Sequence, residues 1–258
     1  MEHIVKSRLL SRKVNVHVVG AGGTGSHVVQ SLTQLHHALI ALGHPGGLDV
    51  TLIDDDIVTA SNIGRQCFFE SDLGHPKAEI LINRANICWG TNWEASINKV
   101  GEVGLGSADI VIGCVDNRLA RKNIIKVYSG SYYLDFGNRK NDGQVVLGQI
   151  EDWSNKYDRL PHIGDLFPEA IDPKRESDDD TPSCSLAEAL QKQSLFINKT
   201  LATLGINLLT KMFTQGVLKT HGMFVNLETD RTAPLPVDPA AWERLGFKPK
   251  KKRGGAKK

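Results

Sequence analysis

Residues 14–30, VNVHVVGAGGTGSHVVQ, constrain the fold more than any other stretch of the chain. An apolar run from Val14 to Val19 meets Gly20, Gly22, Gly23 and Gly25, and a helical pattern opens near Ser26. β-Branched residues favour a buried strand, and glycines permit a tight turn and close backbone approach. The helix that follows aims its N–H groups and its dipole at whatever sits over that turn. Strand, glycine turn and helix in this order make a phosphate cradle, one that serves NAD, FAD and ATP alike.

The alternation continues through the first half. Strand-like runs fall at 14–19, 49–53, 110–115 and 132–136, with helical periodicity over 26–42, 76–89 and 117–129. This predicts an α/β, Rossmann-like fold: a mostly parallel sheet with helices on both faces. The runs 143–150 and 222–228 have no crossover helix of ordinary length and predict an antiparallel extension. Residues 152–184 lack clear periodicity and read as a crossover loop. Ser185 and Glu188 then form an S-x-x-E capping box, which predicts a long amphipathic helix, apolar from Leu186 to Phe213. One domain over 1–247 accommodates all of these elements.

The chain has 258 residues, 40% hydrophobic and 23% charged, enough to bury a substantial core. No apolar run approaches membrane-spanning length, and Lys6, Arg8, Arg12 and Lys13 interrupt the N-terminus. Those features argue against a signal peptide and predict a cytoplasmic protein. Net charge is +2, but KPKKKRGGAKK at 248–258 carries seven positive charges and no negative one. The body is therefore mildly acidic, and the end reads as a basic disordered tail. No aromatic residue interleaves with the tail's lysines, so nucleic-acid binding is not assigned to it. Cys67, Cys88, Cys114 and Cys184 form no C-x-x-C pair, so neither a zinc ribbon nor a disulfide framework is expected. Core packing is the reading for Cys88 and Cys114.

The charges downstream of the glycines narrow the choice of nucleotide. Asp54 ends the second strand, where an acid holds ribose hydroxyls. Beyond it, DDDIVTASNIGRQ and LGHPKAEIL supply Asn62, Arg65, Gln66 and Lys77. A nicotinamide dinucleotide has only a pyrophosphate, which the glycine turn largely satisfies, and no residue here is committed to hydride transfer. Arg65 and Lys77 suit a triphosphate, whose charge must be neutralised as the α–β bond breaks. Asp116, in VIGCVDNRLAR, is placed to bind Mg²⁺ on those phosphates. Taken singly, Arg65 would pass for a surface cation and Asp116 for a helix N-cap. Together they fall at the carboxyl ends of strands, where such sheets bind ligands.

In order, G-x-G-G-x-G, D-x-D-x-V-x-x-S-N-x-x-R-Q, G-x-P-K and D-N-x-x-x-R resemble the ThiF/MoeB and ubiquitin-activating family of adenylating proteins, over roughly residues 14–135. The resemblance implies that Asp54 holds the ATP ribose and that Asn62, Arg65 and Lys77 contact the phosphates. It implies Mg²⁺ on Asp116 and attack on the α-phosphate by the C-terminal carboxylate of a ubiquitin-like or sulfur-carrier protein. Cys184, just before the capping serine, lies where a helix N-terminus favours a thiolate. Its position also resembles the family's crossover-loop cysteine, which takes the acyl group as a thioester.

Two departures stand out: there is no zinc-binding pair of C-x-x-C motifs, and only Arg8 and Arg12 precede the first strand, without R-Y-x-R-Q. A homodimer with shared active sites is implied by the resemblance rather than by that segment. Within the family, SCSLAEALQKQSLFINK and the extended first helix look most like the ThiF proteins of bacterial PRTRC gene clusters. Those clusters also encode a ubiquitin-like protein and a conjugating-enzyme-like protein. Alternatives are a sulfur-carrier or small-carboxylate adenylyltransferase without a cysteine thioester, and a non-catalytic nucleotide-binding module whose basic tail meets nucleic acid.

Overall fold

The computed structural model describes residues 1–102, 104, 106–155, 159–175 and 193–247. A short strand, β1 (His3–Ile4), and one helical turn, α1 (Arg8–Ser11), precede the apolar run. That run is β2 (Val14–Val19), and the glycine turn hands it to α2 (Gly23–Ala41). The chain continues through β3 (Leu48–Ile53), α3 (Lys77–Trp89), β4 (Glu94–Ser96) and β5 (Ile110–Gly113). Next come α4 (Arg118–Val127), β6 (Tyr132–Asn138), β7 (Asp142–Gln149) and the short α5 (Ile163–Leu166). The last elements are α6 (Ile197–Gln215), β8 (Val217–Leu218), β9 (Thr220–Asn226), β10 (Arg231–Pro236) and α7 (Pro239–Arg244).

Eight strands form one sheet in the order β10-β9-β7-β6-β5-β2-β3-β4. From β4 to β6 all neighbours are parallel, and β7, β9 and β10 add antiparallel strands at one side, as expected from the sequence. The central strands are covered on both faces, and every residue of β5 is buried, which explains its continuous apolar run. After β2 the chain moves outward to β3 and β4, then returns to place β5 on the other side of β2. This reversal opens a crevice at the carboxyl end of β2, where open α/β sheets bind ligands. No described helix is long and apolar enough to cross a membrane.

Three elements differ from expectation. The edge strand β10 contains Pro234 and Pro236, which suppress a strand signal but are tolerated at an edge where the missing N–H costs nothing. The long helix predicted to be apolar from Leu186 does not run unbroken to Phe213. Gln193–Phe196 are not helical, and α6 starts at Ile197. The Ser194 N–H donates to the Lys140 carbonyl at 2.7 Å, and Gln193 Oε1 accepts from Asn198 Nδ2 at 2.7 Å, so tertiary bonds override the local period. Within the aperiodic stretch, residues 159–175 form short helical turns that bury Leu160, Ile163 and Leu166. Cys184, the capping box at 185–188 and the basic tail lie outside the described residues.

Candidate active site

The crevice is built around the glycine turn. Gly20 has φ +97, and a Cβ there would lie 2.7 Å from the Cys114 carbonyl oxygen, so only glycine lets β2 and β5 close together. A Cβ on Gly25 would overlap the Gly20 carbonyl, and one on Gly23 would overlap the Asn198 amide. Gly22 is different: a Cβ there would meet no protein atom within 4 Å. Backbone packing thus demands Gly20 and Gly25, the Asn198 side chain crowds Gly23, and no atom of the described residues crowds Gly22. The N-terminus of α2 has no side-chain cap and no acid in its first turn, so its dipole is left for an external anion.

Asp54 is tied to this turn. Its Oδ2 accepts the Ala21 N–H at 2.6 Å and its Oδ1 accepts the Asp56 N–H at 3.0 Å. Burial pushes its pKa above the usual carboxylate range, against the opposing pull of those N–H groups and of Lys77. Lys77 begins α3 with its side chain almost fully buried, and its ammonium meets the exposed carboxylate of Asp56 at 2.8 Å.

Asn62, Arg65 and Gln66 lie on one turn that is pinned to α2, because the Cys67 N–H donates to Ser26 Oγ at 3.2 Å. Asn62 Oδ1 accepts from the Thr59 N–H at 2.9 Å and from Thr59 Oγ1 at 3.1 Å, which leaves its amide N–H groups for a ligand. Arg65 is half-buried and donates from Nε to the Ser61 carbonyl at 3.3 Å. No described carboxylate lies within ion-pair distance of it. Burial lowers its pKa, and the field of Asp116 opposes that shift. Gln66 is buried, and its Oε1 has no hydrogen-bond partner among the described residues. A buried acceptor in that state is a position that a ligand donor would satisfy.

Asp116 is exposed on the loop after β5 and does not cap α4. Asn117 does so, accepting the Ala120 N–H at 2.8 Å. The Asp116 carboxylate stays exposed, touched by Asn117 Nδ2 at 3.4 Å, and its field reaches Arg65. A half-buried guanidinium and an exposed carboxylate fit a polyanion carrying a divalent cation, and the unmet Gln66 oxygen fits a donor group on the same ligand.

Sequence reasoning missed several neighbours of this site. Arg121 of the D-N-x-x-x-R motif donates to Asp135 Oδ2 at 3.1 Å and to the Phe136 carbonyl at 2.8 Å. The Tyr133 hydroxyl donates to the same Asp135 oxygen at 2.7 Å. An acid inside the apolar run YYLDFGN was the signal available. Asn198 caps the crevice floor, accepting at Oδ1 from Thr24 Oγ1 and from Asn138 Nδ2, both at 3.0 Å. Cys114 packs against the core as expected, but Cys88 does not: it is exposed in the last turn of α3, beyond the buried face formed by Ala78, Leu81, Ile82 and Ala85. Cys67 is half-buried beside α2.

Residues 7–236 match the sequence profile of the ThiF family. The chain belongs to the ThiF family. It is 32% identical over 182 residues to the SAMP-activating enzyme E1 of Haloferax volcanii, a match that covers 65% of this chain and 58% of that protein. It is 29% identical over 150 residues to the adenylyltransferase and sulfurtransferase UBA4 of Yarrowia lipolytica, covering 55% of this chain and 35% of that protein. This ThiF-family chain thus spans little more than half of the first relative and about a third of the second. Its fold is shared with PaaA (TM-score 0.59, 16% identity, 87% of this chain and 73% of that one). It is also shared with E. coli MccB solved with ATP (TM-score 0.55, 16% identity, 86% and 63%).

Proposed function

We propose that this ThiF-family chain uses ATP to adenylate the C-terminal carboxylate of a ubiquitin-like or sulfur-carrier protein. The observation that carries this reading is Arg65, a half-buried guanidinium with no carboxylate partner among the described residues, within the field of Asp116, on a turn pinned to the helix that the glycines open. Relatives named as activating enzymes and adenylyltransferases support it. In this reading Gly20, Gly22, Gly23 and Gly25 shape the cradle, and Asp54 takes the ribose hydroxyls. Asn62, Arg65 and Lys77 hold the phosphates, and Gln66 contacts the nucleotide through its free amide oxygen. Asp116 would hold Mg²⁺, whose charge screens those phosphates.

The carboxylate is already a nucleophile, so no general base is required. Its oxygen bonds to the α-phosphorus, the α–β bond breaks, and pyrophosphate leaves. Catalysis is then positioning plus charge stabilisation by Arg65 and Lys77. Cys184 then attacks the acyl carbon, AMP leaves, and a thioester results. The resemblance to PRTRC proteins favours a bacterial, cytoplasmic setting, a homodimer and a conjugating-enzyme-like acceptor. The name of the Yarrowia relative favours a second reading, in which the partner is a sulfur carrier and Cys184 serves sulfur transfer.

ATP–pyrophosphate exchange with co-encoded ubiquitin-like proteins tests the reading. Exchange should depend on the partner, and Arg65→Ala should lower it by about 10²–10³-fold. Absence of exchange with every such partner would sink it. Cys184→Ala should leave exchange intact and abolish a thiol-sensitive conjugate. Survival of that conjugate would remove Cys184 from the mechanism.

A further inference from the structure

One cluster of reactive side chains has no part in that reaction. Cys67 Sγ lies 3.0 Å from His27 Nδ1, a residue of α2, and 3.6 Å from Gln30 Oε1. His27 is also half-buried, which fixes its ring against the sulfur. In the tautomer with its proton on Nε2, the imidazole presents Nδ1 as an acceptor for the thiol. Nucleophile and base are thus within hydrogen-bond reach of one another. Burial pushes the thiol pKa up and the imidazole pKa down, so the resting pair is neutral, and the proton moves only as the sulfur attacks.

The surroundings are cationic. Lys199 and Arg84 both favour a negative sulfur, and Arg84 Nη1 also donates to the Cys67 carbonyl at 2.8 Å. Arg84 is neutralised by Asp72 at 2.8 Å, whereas no described carboxylate lies within ion-pair distance of Lys199. Lys199 also borders an open groove on α6 lined by Phe196, Thr200, Thr203 and Leu204. Half-exposed sulfur, adjacent base and an unneutralised ammonium on a groove together select a small reagent with both a disulfide and a negative charge.

We propose that Cys67 is a modification site for small anionic disulfides, with His27 as its base and Lys199 as the anchor for the reagent's carboxylate. The Cys67 proton passes to His27 as the sulfur attacks one sulfur of the reagent. The reagent's S–S bond breaks, a mixed disulfide forms on Cys67, and the departing thiolate takes the proton back from His27. The reagent itself supplies the oxidising equivalents. Because Cys67 follows Arg65 and Gln66 directly, the modification also bears on the turn that holds ATP, a consequence that rests on the function proposed above.

The test is incubation of the intact chain with glutathione disulfide, read by peptide mass spectrometry. Cys88, exposed on α3, is the internal control. Cys67 should be modified about tenfold faster than Cys88. His27→Gln should bring Cys67 to or below the rate of Cys88. Lys199→Gln should slow glutathione disulfide but not cystamine, a cationic disulfide. The proposal is overturned if Cys67 reacts no faster than Cys88, or if His27→Gln leaves its rate unchanged. Should His27→Gln not fold by circular dichroism, the ratio in the parent chain decides. Because occupancy is read at the peptide, the result does not depend on adenylation. Pyrophosphate exchange on the same samples reports that separately.

Discussion

Asp54 Oδ2 accepts the Ala21 N–H at 2.6 Å, so the end of β3 holds the glycine turn at the end of β2. The charge that makes this grip is costly, because burial raises the Asp54 pKa above its unfolded value. For a carboxylate shifted in that direction the fold prefers the protonated form, so the ionised group costs stability at neutral pH. Asp54→Asn should therefore leave the melting temperature unchanged or slightly raised. ATP affinity should fall about ten- to a hundredfold, since the proposed charge-assisted bonds to the ribose hydroxyls would be lost. Calorimetric titration and thermal melting of the same preparation separate the two effects. A parallel loss of both would show that Asp54 acts through the fold alone.

Gly22 and Gly25 make a contrasting pair. A Cβ on Gly25 overlaps the Gly20 carbonyl, so Gly25→Ala should destabilise the chain by about 1–3 kcal/mol, the range for forced overpacking. A Cβ on Gly22 meets no atom of the described residues, so Gly22→Ala should melt near the parent temperature yet bind ATP poorly, because the methyl would intrude on the proposed phosphate position. Equal loss of stability in both variants would contradict the open space over Gly22.

What the sequence made legible was local, and what it hid was long-range. The β2–glycine–α2 unit, Asp54, and the segment from Asn62 to Lys77 are contiguous patterns, and each reaches the crevice. The partner of Arg121 was hidden because β5–β6 pairing sets Gly113 opposite Asp135, a register that no local period encodes. His27 and Cys67 are 40 positions apart and meet only when the turn after β3 folds back onto α2. The start of α6 was misplaced for a similar reason: residues 193–196 fit a helical period but are held by the β6–β7 turn.

Asp135 should prove structurally indispensable. It is 1% exposed, and its Oδ2 takes both Arg121 Nε and the Tyr133 hydroxyl. Asp135→Ala strands a guanidinium whose side chain is only 12% exposed, which should destabilise the fold by about 3–5 kcal/mol. Tyr133→Phe removes one donor and leaves the ion pair, so about 1 kcal/mol is expected. Urea unfolding of the two variants gives the ratio, and similar losses would mean that the ion pair contributes little.

Acid should unfold the chain through two histidines held neutral. His221 Nε2 accepts from Trp242 Nε1 at 2.8 Å, while its Nδ1 bonds to the Leu147 carbonyl at 2.8 Å. His162 Nδ1 accepts the Gly164 N–H at 3.1 Å. Burial lowers both pKa values to about 4. An unfolded histidine titrates near 6.5, so below that pH the unfolded chain binds protons that the fold refuses. Stability is complete above about pH 6.5 and is lost as pH falls toward 4, by roughly 3 kcal/mol per histidine over the whole window. Asp165, which Arg159 holds low despite burial, loses its contribution only below about pH 4, outside that window. Urea midpoints at pH 7, 6, 5 and 4 should decline steadily, and His162→Gln should remove about half of the slope. A flat profile between pH 7 and 5 would mean that neither imidazole is held neutral.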